Sequence, residues 1–231
     1  MSHWSAPQRP AAYAEEMLVT AILEGTFAPG SALPGERELA TQLGITRPTL
    51  REALQRLHRD GWITIHQGKA TRINDFWREG GLNVLSAMVR YGRQLPADFV
   101  PNLLQVRQVM APAYTHAAVT HSAAEIAHCL EGQVGLEDSP EALAAFDWKL
   151  HHCLTLLSGN PVYTLILNGF TGFYEQMARL YFARPEARAA SRAFYGQLLV
   201  AARQGDAAEA ARITEAVMRE SMALWEQSAR R

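Results

Sequence analysis

Cysteine is scarce in this chain: Cys129 and Cys153 are the only two among 231 residues. Two thiols cannot staple a small secreted fold, so both are expected as buried thiols in a reducing, cytoplasmic setting. No apolar run approaches the ~20 residues of a membrane helix, so no membrane partner is expected. The opening residues Met1 to Ser5 lack a basic flank followed by an apolar core, so no signal peptide is expected. Excess charge of one sign is also missing: 22 Lys and Arg stand against 23 Asp and Glu, a net charge of -1. That excludes a globally basic nucleic-acid coat but leaves room for a local basic patch. Neither a Gly-rich phosphate loop nor a nucleophile elbow occurs, so the chain is not expected to be an enzyme. What is present is 48% hydrophobic residues, enough to fill a core, over a length that suits one or two domains.

The basic residues are concentrated. Residues 45–72 hold six basic side chains against two acidic ones, and a polyanion contact is expected there. Ala14, Met17, Leu18, Ala21 and Ile22 share one face of a helix over residues 11–24. Glycine and proline at Gly25, Pro29 and Gly30 end it. A short helix follows at residues 36–43, broken by Gly44. Thr46 then caps a third helix, Pro48 falls in its first turn, and it runs to Asp60 with Gly61 as its stop. A strand at 62–66, a turn at Gln67 and Gly68, and a return strand at 69–73 make a hairpin. The order describes a winged helix-turn-helix over residues 1–74. Its second motif helix offers Thr46, Arg47, Thr49 and Arg51 at the end where a recognition helix meets bases and phosphates. Arginines on a small helical domain are by themselves ordinary solvated surface; the full arrangement favours DNA reading.

Residues 75–81 are expected to be a linker, with the Gly80–Gly81 pair allowing a bend. Residues 82–231 carry helical periodicity and no strand signal, so the expected class is mainly α: a winged helix-turn-helix followed by a bundle of six or seven helices. Helices are expected at 82–91 and 97–120, the latter kinked at Pro112. Later boundaries fall at Ser122 with Glu125, Ser139 with Pro140, the 158–161 break, Arg184 with Pro185, and Gly205 with Asp206 and Glu209. Asp147 and His151, at i and i+4, share a helix face, but a metal needs another donor. His116, His121 and His128 have no clear partner, so the residues alone describe a satisfied polar pair. Cys153 and His152 are adjacent and face apart, which argues against a nucleophile.

The run Leu33-Pro34-Gly35-Glu36-Arg37-Glu38-Leu39-Ala40, followed by Leu43-Gly44-Ile45-Thr46-Arg47-Pro48-Thr49-Leu50-Arg51-Glu52-Ala53-Leu54, resembles the signature of the GntR family. That resemblance implies DNA contacts by Arg37, Thr46, Arg47, Thr49 and Arg51 and by a wing at Gln67, Gly68 and Lys69. Many GntR proteins hold a metal in their effector domain with one Asp and three His. Asp147 and His151 fall at the first two ligand positions, but the other two fall on Tyr195 and Val217, so the pair is incomplete and no metal is expected. Blocks such as 102–107, Ser158 to Pro161, 166–169 and 181–188 resemble the FadR branch of the family, although His151 and Gln67 depart from it. This closer resemblance implies a long-chain acyl-CoA site at Arg107, Tyr181, Ser221 and Trp225, with Arg107 meeting a CoA phosphate. Without it, Tyr181 and Trp225 would be read as core packing. It further implies a cytoplasmic homodimer on a palindromic double-stranded operator, with no cofactor. Such a protein represses fatty acid degradation, activates unsaturated fatty acid synthesis and leaves DNA when acyl-CoA binds. The alternatives are a metal-dependent regulator sensing a small organic acid, and a helical thioester-acting enzyme with His151 or His152 as base.

Overall fold

The computed structural model describes residues 10–91, 96 and 98–229. It divides into two compact units, Met1–Leu95 and Pro96–Arg231.

In the first unit, α1 (Pro10–Leu23) buries Ala11, Ala14, Leu18, Val19 and Ile22, whereas Met17, expected in that stripe, is 41% exposed. Helix α2 (Glu36–Leu43) stops at Gly44, whose φ of 66° is a left-handed conformation that glycine adopts without penalty. Helix α3 (Arg47–Asp60) starts where the Thr46 hydroxyl accepts the Thr49 N–H at 3.4 Å, and it buries Leu50, Ala53, Leu54 and Leu57. The wing pairs β1 (Ile63–Thr64) with β2 (Arg72–Ile73), antiparallel, with Ile63 opposite Ile73. These strands are shorter than the expected 62–66 and 69–73. Residues 66–70 are exposed, so no buried face holds the ladder together beyond Thr64.

The expected linker is structured. A one-turn helix, α4 (Phe76–Glu79), follows the wing directly. Arg72 donates to both Glu79 carboxylate oxygens, at 3.2 and 2.8 Å. The Phe76 ring packs 5.3 Å from that of Trp62, which is buried. Gly80 serves close packing rather than bending: a Cβ there would lie 2.4 Å from the Phe76 carbonyl oxygen and 2.8 Å from Val84. Helix α5 (Leu82–Tyr91), assigned from sequence to the second domain, packs on α1 and buries Val84 and Met88, because those two apolar residues repeat at helical spacing against the first unit's core.

In the second unit, α6 (Phe99–Glu131) is two helical stretches meeting in a kink at Ser122, where the sequence places a helix boundary; the expected start at Ala97 lies outside the described residues. Non-helical backbone occurs at Ser122 (φ -148°, ψ 46°) and not at Pro112, which sits within the helix. Then come α7 (Pro140–Leu157), α8 (Pro161–Asn168), α9 (Thr171–Phe182), α10 (Pro185–Gln204) and α11 (Ala207–Ala229). Caps fall as the sequence predicts: Ser139 accepts from the Ala142 N–H at 3.2 Å, and Asp206 from the Glu209 N–H at 2.9 Å. Ile126, Leu130, Leu150, Leu154, Tyr195 and Leu198 centre a core formed by α6, α7, α10 and α11. Cys129 and Cys153 are not the buried thiols expected. They are half-buried and joined as a disulfide between α6 and α7, whose packing brings the two positions together. Among the described residues no helix is long and apolar enough to cross a membrane.

Candidate functional site

The first unit gathers the expected basic surface. Arg47 and Arg51 lie one turn apart at the start of α3, Thr46 caps that helix, and the Thr46 and Thr49 hydroxyls share a 2.9 Å hydrogen bond. Arg37 is exposed in the first turn of α2, and Gln67, Gly68 and Lys69 are exposed at the wing's turn, where Gly68 has a φ of 72°. Guanidinium forks, hydroxyls and a helix N-terminus on one exposed face suit base edges and phosphates. One acidic residue belongs to this group and was not anticipated: Glu36 accepts from Arg51 Nε at 2.8 Å and lies 3.7 Å from Arg47.

The second unit holds a mostly apolar cavity of about 110 Å³ that opens at its mouth to solvent. Leu104, Met110, Leu167, Phe170, Met177 and Met218 supply apolar wall, and Arg107, Tyr181, Ser221 and Trp225 all line it. The structure therefore brings together four residues that lie on three helices, α6, α9 and α11. Ser221 donates to the Val217 carbonyl at 2.8 Å, so its 3.0 Å bond with Tyr181 is donated by the tyrosine.

One wall of the cavity is polar, and it centres on Asp147. Arg107 donates to Asp147 Oδ2 at 2.9 Å, Tyr195 donates to Oδ1 at 2.8 Å, and Tyr174 donates to Oδ2. Burial pushes the Asp147 carboxyl up, but the Arg107 guanidinium and the two phenols more than offset it and hold it below the usual range. Arg107, expected to meet a phosphate, also pairs through one nitrogen with this carboxylate, which would otherwise lie buried without a counter-ion. The spacing that paired Asp147 with His151 gave no sign of Arg107, which is 40 residues away on another helix.

The same geometry tests the metal reading. The Asp147 oxygens are taken by a cation and two hydroxyls; Tyr195 offers a phenol where an imidazole would be needed, and Val217 offers no donor. A guanidinium 2.9 Å from the carboxylate repels any metal placed there. These residues do not fit a metal, and among the described residues no group of three His, Cys, Asp or Glu is assembled to hold one. The residues offered for a thioester-acting enzyme do not meet at the cavity. Neither His151 nor His152 lines the cavity, and Cys153 is bonded to Cys129.

His151 is 0% exposed and shares a 2.8 Å hydrogen bond through Nδ1 with Tyr114. Burial, aided by Arg107 and opposed by Asp147, pushes its pKa down to about 3. The folded chain thus leaves this ring neutral while the unfolded chain protonates it below about pH 6.5. The unfolded state then binds more protons, and stability falls as pH drops through that window. This one group removes about 2 kcal/mol between pH 7 and pH 5. Urea denaturation at both pH values should show a smaller loss for His151→Phe; equal losses would contradict a neutral buried imidazole.

Residues 74–231 match the FadR C-terminal domain family, and residues 10–73 match the gntR family of bacterial regulatory proteins. The chain is 46% identical over 189 residues to the fatty acid metabolism regulator protein of Shewanella pealeana, covering 82% of this chain and 79% of that one. It is 44% identical over 191 residues to the protein of the same name from Pectobacterium atrosepticum, covering 83% and 80%. Among solved structures, Lar, described as controlling the Listeria monocytogenes agr system, superposes with a TM-score of 0.61 at 16% identity, covering 98% of this chain and 99% of that one, a likeness of fold alone.

Proposed function

Because the chain belongs to the GntR family of bacterial transcriptional regulators, with the FadR type of C-terminal domain, we propose that it controls fatty acid metabolism genes as a homodimer released from DNA by long-chain acyl-CoA. It works in the cytoplasm, represses degradation genes and activates unsaturated fatty acid synthesis. Two copies place two α3 helices on a palindromic operator, read by Thr46, Arg47, Thr49 and Arg51 with Arg37 and the wing residues Gln67, Gly68 and Lys69 in support.

The observation that carries the effector reading is the cavity. It is apolar along most of its wall, and its one buried carboxylate is neutralised by Arg107, so an uncharged hydrocarbon chain meets no unpaired charge. Tyr181, Ser221 and Trp225 give a polar edge beside the apolar wall, where a thioester fits. Arg107 serves as the fixed cation of that wall. For the ligand to release DNA, it must bind the DNA-incompetent state more tightly than the competent one.

Operator binding followed by fluorescence anisotropy, with oleoyl-CoA titrated in, tests the proposal. Affinity should fall by about tenfold or more at saturation, equivalent to a coupling of about 1.4 kcal/mol. Unchanged operator affinity in saturating ligand would remove the sensor function.

A further inference from the structure

Glu36 opens α2 but does not serve that helix as a cap: the N-cap is Gly35, and no side chain caps the helix. Its carboxylate instead crosses to α3, where Oε2 takes Arg51 Nε at 2.8 Å and stands 3.7 Å from Arg47. The three side chains are 37%, 60% and 55% exposed, and ion pairs so wet contribute little to folding. Their chemistry bears on the DNA face. Arg37, the next residue of α2, is exposed and has no ion-pair partner among the described residues, whereas Arg47 and Arg51 share a carboxylate.

From this geometry we infer that Glu36 is the positioning residue that sets operator specificity, by holding Arg51 through Nε and opposing its capture by phosphate. The inference rests on the DNA-binding reading of the first unit. A guanidinium reads guanine through two nitrogens on one edge, toward O6 and N7. The Nε bond to Glu36 leaves both terminal nitrogens of Arg51 unspent while fixing the side chain from behind. A phosphate needs only a nearby cation, and a carboxylate already on that cation competes with it directly. Non-specific binding, which is almost entirely phosphate contact, is weakened throughout by Glu36. Specific binding keeps the guanine edge, so the ratio between the two widens.

The test uses the full chain. A palindromic duplex enriched by the wild-type protein from a random library is compared with a shuffled duplex, by fluorescence anisotropy over a series of salt concentrations. Glu36→Gln should bind the shuffled duplex about tenfold more tightly, with a salt slope steeper by about one unit as Arg51 gains a phosphate. Its ratio of operator to shuffled affinity should fall by at least about tenfold, the scale of one bidentate base contact. Glu36→Asp, which keeps the charge, should recover most of that ratio. An unchanged ratio and slope in Glu36→Gln overturns the inference. So does an equal loss on both duplexes together with a lowered melting temperature, since that outcome marks a merely structural contact. A wild-type chain that enriches no duplex overturns the DNA-binding reading beneath it, and is recognisable because the variants are then never reached.

Discussion

An Asp147→Ala variant should unfold about 10 °C below the wild-type chain. Asp147 is 5% exposed, and its oxygens take Arg107, Tyr174 and Tyr195. Removing it leaves a half-buried guanidinium without a counter-ion and two phenols without their acceptor. Breaking such a pair costs about 3 to 5 kcal/mol, and in a chain of this length each kcal/mol moves the melting temperature by about 2 to 4 °C. The double variant Arg107→Met with Asp147→Leu should recover much of the loss, because charge and counter-charge leave together and apolar atoms fill the gap. Differential scanning calorimetry of the three proteins decides the matter. If Asp147→Ala melts within about 2 °C of wild type, the carboxylate is not the counter-ion that the geometry makes it.

Palmitoyl-CoA should bind on the order of 10³-fold more tightly than decanoyl-CoA. The two ligands share the thioester, the pantetheine and every phosphate, so the difference lies in six methylenes. Each one buried contributes about 0.8 kcal/mol, or close to fourfold in Kd, provided it finds apolar wall. Leu104, Met110, Leu167, Phe170, Met177 and Met218 furnish that wall. Isothermal titration calorimetry across a series of chain lengths should give a straight line of log Kd against carbon number until the cavity is full. A flat series would mean that the hydrocarbon stays outside, and that the protein recognises the CoA portion alone.

The first unit was legible because its signals are local. Thr46, Gly44 and Gly61 each mark a helix end through their own backbone chemistry, and the arginines of α3 sit in sequence beside their cap. The cavity was legible only through family resemblance: Tyr181, Ser221 and Trp225 have no pattern that distinguishes lining from core. What escaped were contacts over long separations. Arg107 reaches Asp147 across 40 residues, Tyr195 reaches it across 48, and Arg51 reaches Glu36 across 15. No periodicity encodes such meetings, because they depend on how whole helices cross. Residues 75–81, expected as a linker, show a different limit. Two adjacent glycines suggest slackness, yet Gly80 is there because Phe76 and Val84 leave no room for a methyl group.

That last segment changes what a pull on the chain would do. With Arg72 joined to Glu79 through two nitrogens and Phe76 packed on Trp62, a pull from the C-terminal side has these contacts to break before the segment from β2 to Gly80 can extend.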